Sequence, residues 1–230
     1  DESLIPAEVA ALLNEFCQMA TNAIYQHDGH VNNFIGDEVM AIFYAPLDMQ
    51  DHAAQAVRAC AAFLVELKKF NQTHPEKEFK VRCAINTGPV VAGNVGAAAH
   101  IKYTVLGDTV NVAARLSKTP QINSIVVGER TYIKVKDVFK TKDLGEMALK
   151  GKEKPQHAYE IVLRLHAEPL LHAGVPRVAQ VAHREFARQQ LVLELVAQLD
   201  VQRVREFVRI DADRTALHAR ELRVEILFGP

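Results

Sequence analysis

The dipeptide Gly36-Asp37 lies between two short apolar runs, Val31 to Ile35 and Val39 to Phe43. An aspartate at such a turn has two readings. It is ordinary turn chemistry, because its side chain bonds the nearby backbone. It is also a carboxylate held at the tip of two strands, within reach of a hard cation such as Mg²⁺, which takes a few carboxylate oxygens together with substrate phosphates. A second pair, Asn111 and Arg115, is four residues apart on a segment of helical spacing, so both project from one face. The pair is either solvated helix surface or a working pair, with the guanidinium facing charge developing on a phosphorus centre and the amide orienting a sugar. The glycines between Gly88 and Gly96 suggest a phosphate cradle. That stretch lacks the Gly-Lys-Ser/Thr ending of a P-loop, and reads instead as a flexible connection between sheet elements. Asp211-Ala212-Asp213 reads as a loop rather than a metal pair.

The elements that must position these residues follow from apolar spacing. After Pro6, the residues Val9, Leu12, Leu13, Phe16, Met19, Ala20, Ala23 and Ile24 recur at helical period until Gly29 breaks the pattern. The two runs around Gly36-Asp37 read as a β-hairpin. Asp51 is placed to cap a second helix through Ala56, Cys60, Phe63, Leu64 and Leu67. Strands follow at Phe79 to Ile85 and Ile101 to Leu106, and a third helix starts near Asp108, capped by Asp or Thr. Helix, hairpin, helix, strand is most of a split βαβ arrangement, an α+β fold with helices on one face of a mainly antiparallel sheet. The strand that should precede the first helix is absent from this chain.

Bulk properties restrict the class. The chain has 230 residues, 49% hydrophobic and 24% charged, as in a globular protein with a sizeable core. A formal net charge of −1 gives no nucleic-acid footprint and no polybasic membrane patch. No apolar run approaches the roughly 20 residues that span a bilayer, and no signal peptide opens the chain. Cys17, Cys60 and Cys83 are odd in number and lack metal-ligand spacing, so they read as free thiols of a reducing compartment. From Arg164 onward there are ten arginines and no lysine, which suggests a division between residues 1–163 and 164–230. In the second part Pro176 opens a helical pattern, and Val204 to Ile210 and Leu222 to Phe228 look like strands.

Taken in order, Phe34 to Phe43, Asp51-His52-Ala53, Ile85 to Gly96, Tyr103 to Leu116 and Leu149-Lys150-Gly151-Lys152 resemble the catalytic domains of class III nucleotide cyclases. The resemblance covers about residues 1–163, and several motifs in the right order make it specific. It implies a ferredoxin-like palm working as a head-to-tail homodimer with its sites at the interface. ATP or GTP would be converted to a 3′,5′-cyclic monophosphate with two Mg²⁺ or Mn²⁺ ions. By the same resemblance Asp37, next to Gly36, matches the second metal aspartate. Asn111 matches the ribose-orienting residue, Arg115 the transition-state arginine and Lys150 the triphosphate lysine.

The match departs in two places. The first metal aspartate belongs to the opening strand, and this chain starts just after it, as a truncated piece would. At the base-reading positions Asn33 stands where adenylyl cyclases place lysine, with Thr104 as its partner, as in one bacterial-type subgroup. An asparagine amide both donates and accepts, so it does not decide the purine, although ATP is favoured. The resemblance further implies a cytoplasmic domain, attached to a larger sensor in many relatives. The rival readings are a degenerate cyclase-homology module that dimerises without turnover and a guanylyl cyclase. A diguanylate cyclase is disfavoured, since Ile35-Gly36-Asp37-Glu38-Val39 replaces its Gly-Gly-Asp/Glu-Glu-Phe.

Overall fold

The computed structural model describes residues 6–44, 49–97, 100–119, 121–149, 155–163 and 225–229. Helix α1 (Pro6–Gln26) is followed by the hairpin β1 (His30–Ile35) and β2 (Glu38–Ile42), then α2 (His52–Thr73). Strand β3 (Arg82–Asn86) leads to a two-stranded ribbon of β4 (Val91–Ala97) and β5 (His100–Leu106). Helix α3 (Asp108–Leu116), β6 (Ser124–Gly128), α4 (Glu129–Val135), β7 (Thr141–Met147) and β8 (Gln156–Ile161) complete the first part. The last described element is β9 (Glu225–Gly229). The helix from 176, the strand from 204 and Asp211 to Asp213 lie outside the described residues.

Of the stripe that its spacing predicts, helix α1 buries Phe16, Ala20, Ala23 and Ile24, while Leu12, Leu13 and Met19 are half-buried and Val9, in the first turn, is exposed. It ends where Gly29 runs so close to Phe43 and Ile24 that any Cβ there would collide with both side chains. With α2 and α4 it covers one face of the sheet through a core that includes Phe16, Phe43, Phe63, Cys83, Ile85, Ile125 and Val127. Each fully buried large side chain of this set contributes about 1.5–3 kcal/mol. The Phe16 and Phe63 rings meet edge to face, 5.6 Å apart at 86°. Cys60 and Cys83 are free and buried within this layer, where desolvation pushes the Cys60 thiol well up.

The other sheet face carries α3. Period-2 alternation sends Ala84, Val126 and Ala158 to that side, where Val112 and Leu116 pack on them. Helices therefore lie on both faces, not one, because α3 also presents an apolar stripe of Val112, Ala113 and Leu116.

Three local expectations change. Asp51 occupies the position before α2, but its carboxylate accepts from Gln55 Nε2 (3.1 Å) and Arg58 Nη1 (3.3 Å) rather than capping a backbone N–H. Gly107, not Asp108 or Thr109, precedes α3, and the Thr109 hydroxyl instead donates to the Pro89 carbonyl at 2.8 Å. The Gly93-to-Gly96 stretch is strand β4 in register with β5, with Gly93 opposite Thr104, and not a loose connection. A lone pair of strands twists strongly, and glycines accommodate that twist.

The main sheet has the order β1-β2-β9-β3-β6-β8-β7, antiparallel except between β3 and β6. In a split βαβ arrangement the opening strand lies between the hairpin and the strand that follows the second helix. No described strand precedes α1. Strand β9 fills that central slot, antiparallel to both neighbours, with Leu227 opposite Met40 on one side and Ala84 on the other. Of the strand expected over Leu222 to Phe228, residues 225–228 lie in β9, which pairs with β2 and β3; the earlier residues lie outside the described ones. Unpaired backbone on β2 and β3 would otherwise be left in the middle of a buried sheet. Leu227→Pro deletes one central N–H and strands its acceptor, and is expected to destabilise the fold by about 1–3 kcal/mol in denaturant melts. An unchanged midpoint would place β9 outside the sheet.

Candidate functional site

Asp37 is the second residue of a two-residue turn that closes Ile35 on Glu38. Gly36, at φ +64°, takes the first turn position, where a side chain would be strained. The sequence therefore projects the Asp37 carboxylate from the hairpin tip into solvent. Among the described residues none pairs with it, so it is open to a cation. The antiparallel register of β9 sets Phe228 opposite Val39, two residues beyond Asp37. Among the described residues no cluster of three or more His, Cys, Asp or Glu side chains could enclose a metal. An open site completed by substrate oxygens fits Mg²⁺, which keeps several non-protein ligands.

Helix α3 carries Asn111 and Arg115 along the flank of its buried stripe. Asn111 is exposed and Arg115 half-buried. The Arg115 Nη1 is shielded from solvent and meets no hydrogen-bond partner among the described residues. A buried, unpartnered guanidinium nitrogen is costly in a folded chain, and an anion is the group that would satisfy it. Within the single chain, no hydrogen bond or ion pair among the described residues joins Asp37 to Asn111 or Arg115. Lys150 lies outside the described residues.

Asn33 and Thr104 come from different sheets and are joined by two neighbours that the sequence analysis did not single out. Lys102 Nζ donates to Asn33 Oδ1 at 2.7 Å, and Thr104 Oγ1 donates to Asn32 Oδ1 at 3.0 Å. Asn32 Nδ2 in turn donates to the Tyr103 carbonyl at 3.1 Å. The pairing of β1 with β2 shifts register between Val31 and Asn33, so Asn32 is the extra residue of a bulge. A bulge lets consecutive side chains face the same way, and here both asparagines reach β5. Lys102 and Thr104 are two apart on one strand and therefore share a face, a spacing legible in the sequence; the bulge was not.

A cavity of about 740 Å³ opens elsewhere, lined by Leu64, Leu67, Asn71, Ser124 and Glu160 among others, and contains none of the candidate residues. Of the described candidate residues, Gly36, Asp37 and Asn111 are exposed and Asn33, Thr104 and Arg115 half-buried, and the strands that carry several of them also expose apolar side chains. Phe34, Ile35, Val91, Val95, Ile101 and Leu106 are each 44–52% exposed. No described helix is long and apolar enough to cross a membrane.

Comparison with known proteins agrees with this geometry. Residues 1–162 match the family model described as the adenylate and guanylate cyclase catalytic domain. Adenylate cyclase 1 of Rhizobium meliloti (strain 1021) is 34% identical over 178 residues, which is 75% of this chain and 27% of that protein. An adenylate cyclase of Mycobacterium bovis is 29% identical over 78% of this chain and 40% of its own length. The chain thus spans well under half of these relatives. Among solved structures, the adenylyl cyclase CyaB from P. aeruginosa superposes with a TM-score of 0.67 at 30% identity, covering 70% of this chain and 86% of that one. The guanylate cyclase domain of RhGC from Catenaria anguillulae, solved with GTP, gives 0.66 at 27% identity over 71% and 88%. With residues 1–162 matching its model and a relative 34% identical over 75% of the chain, this chain belongs to the family of adenylate and guanylate cyclase catalytic domains.

Proposed function

We propose that this chain forms 3′,5′-cyclic AMP from ATP, releasing pyrophosphate, at sites shared between two copies of the chain. The observation that carries the reading is the shielded Nη1 of Arg115, without a hydrogen-bond partner among the described residues, on the same helix flank as Asn111. Arg115 would meet the α-phosphate as charge builds on it, a preorganised donor in a partly desolvated position. Asn111 would hold the ribose so that its 3′-hydroxyl lies in line with the bond to the leaving pyrophosphate. Asn33 and Thr104 would read the base, Gly36 would let the chain pass close to the triphosphate, and Lys150 would neutralise it. Asp37 would hold Mg²⁺ or Mn²⁺, two ions by the family pattern. Bound there, the metal supplies Lewis acidity toward the attacking hydroxyl and the phosphate oxygens.

A head-to-tail homodimer is supported by the exposed apolar side chains beside the base-reading strands. A second reading, a cyclase-homology module that dimerises without turnover, draws on the lack, among the described residues, of any cluster of three or more ligating side chains around Asp37. The test is purified protein with ATP or GTP and Mg²⁺ or Mn²⁺, with products separated by chromatography. Cyclic AMP above an Arg115→Ala control is the expected result. A dimer that yields no cyclic nucleotide from either substrate would favour the module.

A further inference from the structure

Two groups of fixed hydrogen-bonding character flank the base-reading pair, and together they bias its polarity. The Lys102 ammonium has donors only, so the atom of Asn33 that it meets at 2.7 Å is the amide oxygen. That turns the Asn33 Nδ2, with its two N–H donors, away from Lys102. The Tyr103 carbonyl accepts only, so Asn32 presents its Nδ2 there and its oxygen to Thr104. The Thr104 hydroxyl must then spend its single proton on Asn32, leaving lone pairs as all that it offers elsewhere. Free asparagine and threonine side chains would each be ambivalent. In this network Lys102 engages the Asn33 oxygen and leaves its Nδ2 donors to offer, while Thr104 offers lone pairs.

We propose that Lys102 and Asn32 set the polarity of Asn33 and Thr104, so that the site selects adenine over guanine nucleotides. The inference rests on the assignment of Asn33 and Thr104 to the base. Adenine offers an acceptor at N1 beside donors on its 6-amino group, the complement of a donor at Asn33 and an acceptor at Thr104. Guanine in the same pose offers the reverse, N1–H as donor beside O6 as acceptor. Both contacts would set like against like, and a site built to bond one pattern rejects the other strongly. Lys102 is thus a positioning residue that acts through Asn33. The bulge at Asn32 is what brings both halves of the network into line.

The experiment measures binding of 3′-deoxy-ATP and 3′-deoxy-GTP with Mn²⁺ by calorimetry, on the full chain, alongside kcat/KM for ATP and GTP. The deoxy analogues lack the attacking hydroxyl and report recognition without turnover. Adenine is expected to be preferred by about 10²-fold. Lys102→Met should cut that preference about tenfold, chiefly through Kd and KM rather than kcat, and Lys102→Arg should restore it, since a guanidinium is also a pure donor. The melting temperature of each variant shows whether the fold is kept. A wild type that prefers guanine, an unchanged ratio in folded Lys102→Met, or no binding of either analogue would overturn the proposal. Selective binding without cyclic product would sustain it while removing the cyclase reading.

Discussion

Arg115→Ala is expected to lower kcat for cyclic nucleotide formation by about 10³-fold, the scale of an arginine that meets transition-state charge on a phosphoryl group. Its KM should change far less, because charge that develops only at the transition state is not present in bound ATP. Stability should not fall with it. The Nη1 has no partner among the described residues, so truncation strands no buried acceptor and removes an unsatisfied donor. The melting temperature and the elution volume of the variant are therefore expected to match the wild type. A variant that keeps its turnover would take the transition state away from Arg115. One that loses its fold would mean that the guanidinium is a structural group whose partner is protein.

Asp37→Ala is expected to abolish metal-dependent turnover while leaving the hairpin in place, since the carboxylate has no described partner and Gly36 sets the turn. Activity that persists without divalent cation would contradict the role given to it. The two inactive variants also test the assembly. If each site takes Asp37 from one copy and Arg115 from the other, a mixed dimer holds one site with both lesions and one with neither. Half of the dimers in an equal, re-equilibrated mixture are mixed, so about a quarter of wild-type activity should return on mixing. No recovery from subunits shown to exchange would place both residues of a site in one chain.

The relation between these two side chains shows where sequence reading reaches its limit. Asp37 was legible because a two-residue turn with glycine first is a local matter, decided by φ at Gly36. Asn111 and Arg115 were legible as a shared helix face for the same reason, since four residues return to one side of any α-helix. The core stripe of α1 and the burial of α2 followed from period alone. By contrast, β4 was read as a loose connection, because its stability comes from the register with β5 and not from its own glycine-rich composition. Asp51 was read as a cap, yet Gln55 and Arg58 compete successfully for its carboxylate from within the same helix.

The sequence by itself determined the helices, the hairpin with Asp37 at its tip, the α3 pair and the kinship with nucleotide cyclases, because each depends on neighbours a few residues apart or on motifs in linear order. The tertiary structure alone decided three things. It placed β9 in the central slot between β2 and β3, a long-range pairing that joins Glu225 to Asn86 and Gly229 to Arg82 and that no local pattern encodes. It put α3 on the sheet face opposite the other helices, since sidedness depends on where an apolar stripe finds its complement. It also joined Asn33 and Thr104 through Lys102 and Asn32, because a donor meets its acceptor only once the bulge and the ribbon bring two strands together. Local chemistry is written in the chain, but the polarity of a binding surface is set by what the fold lays beside it.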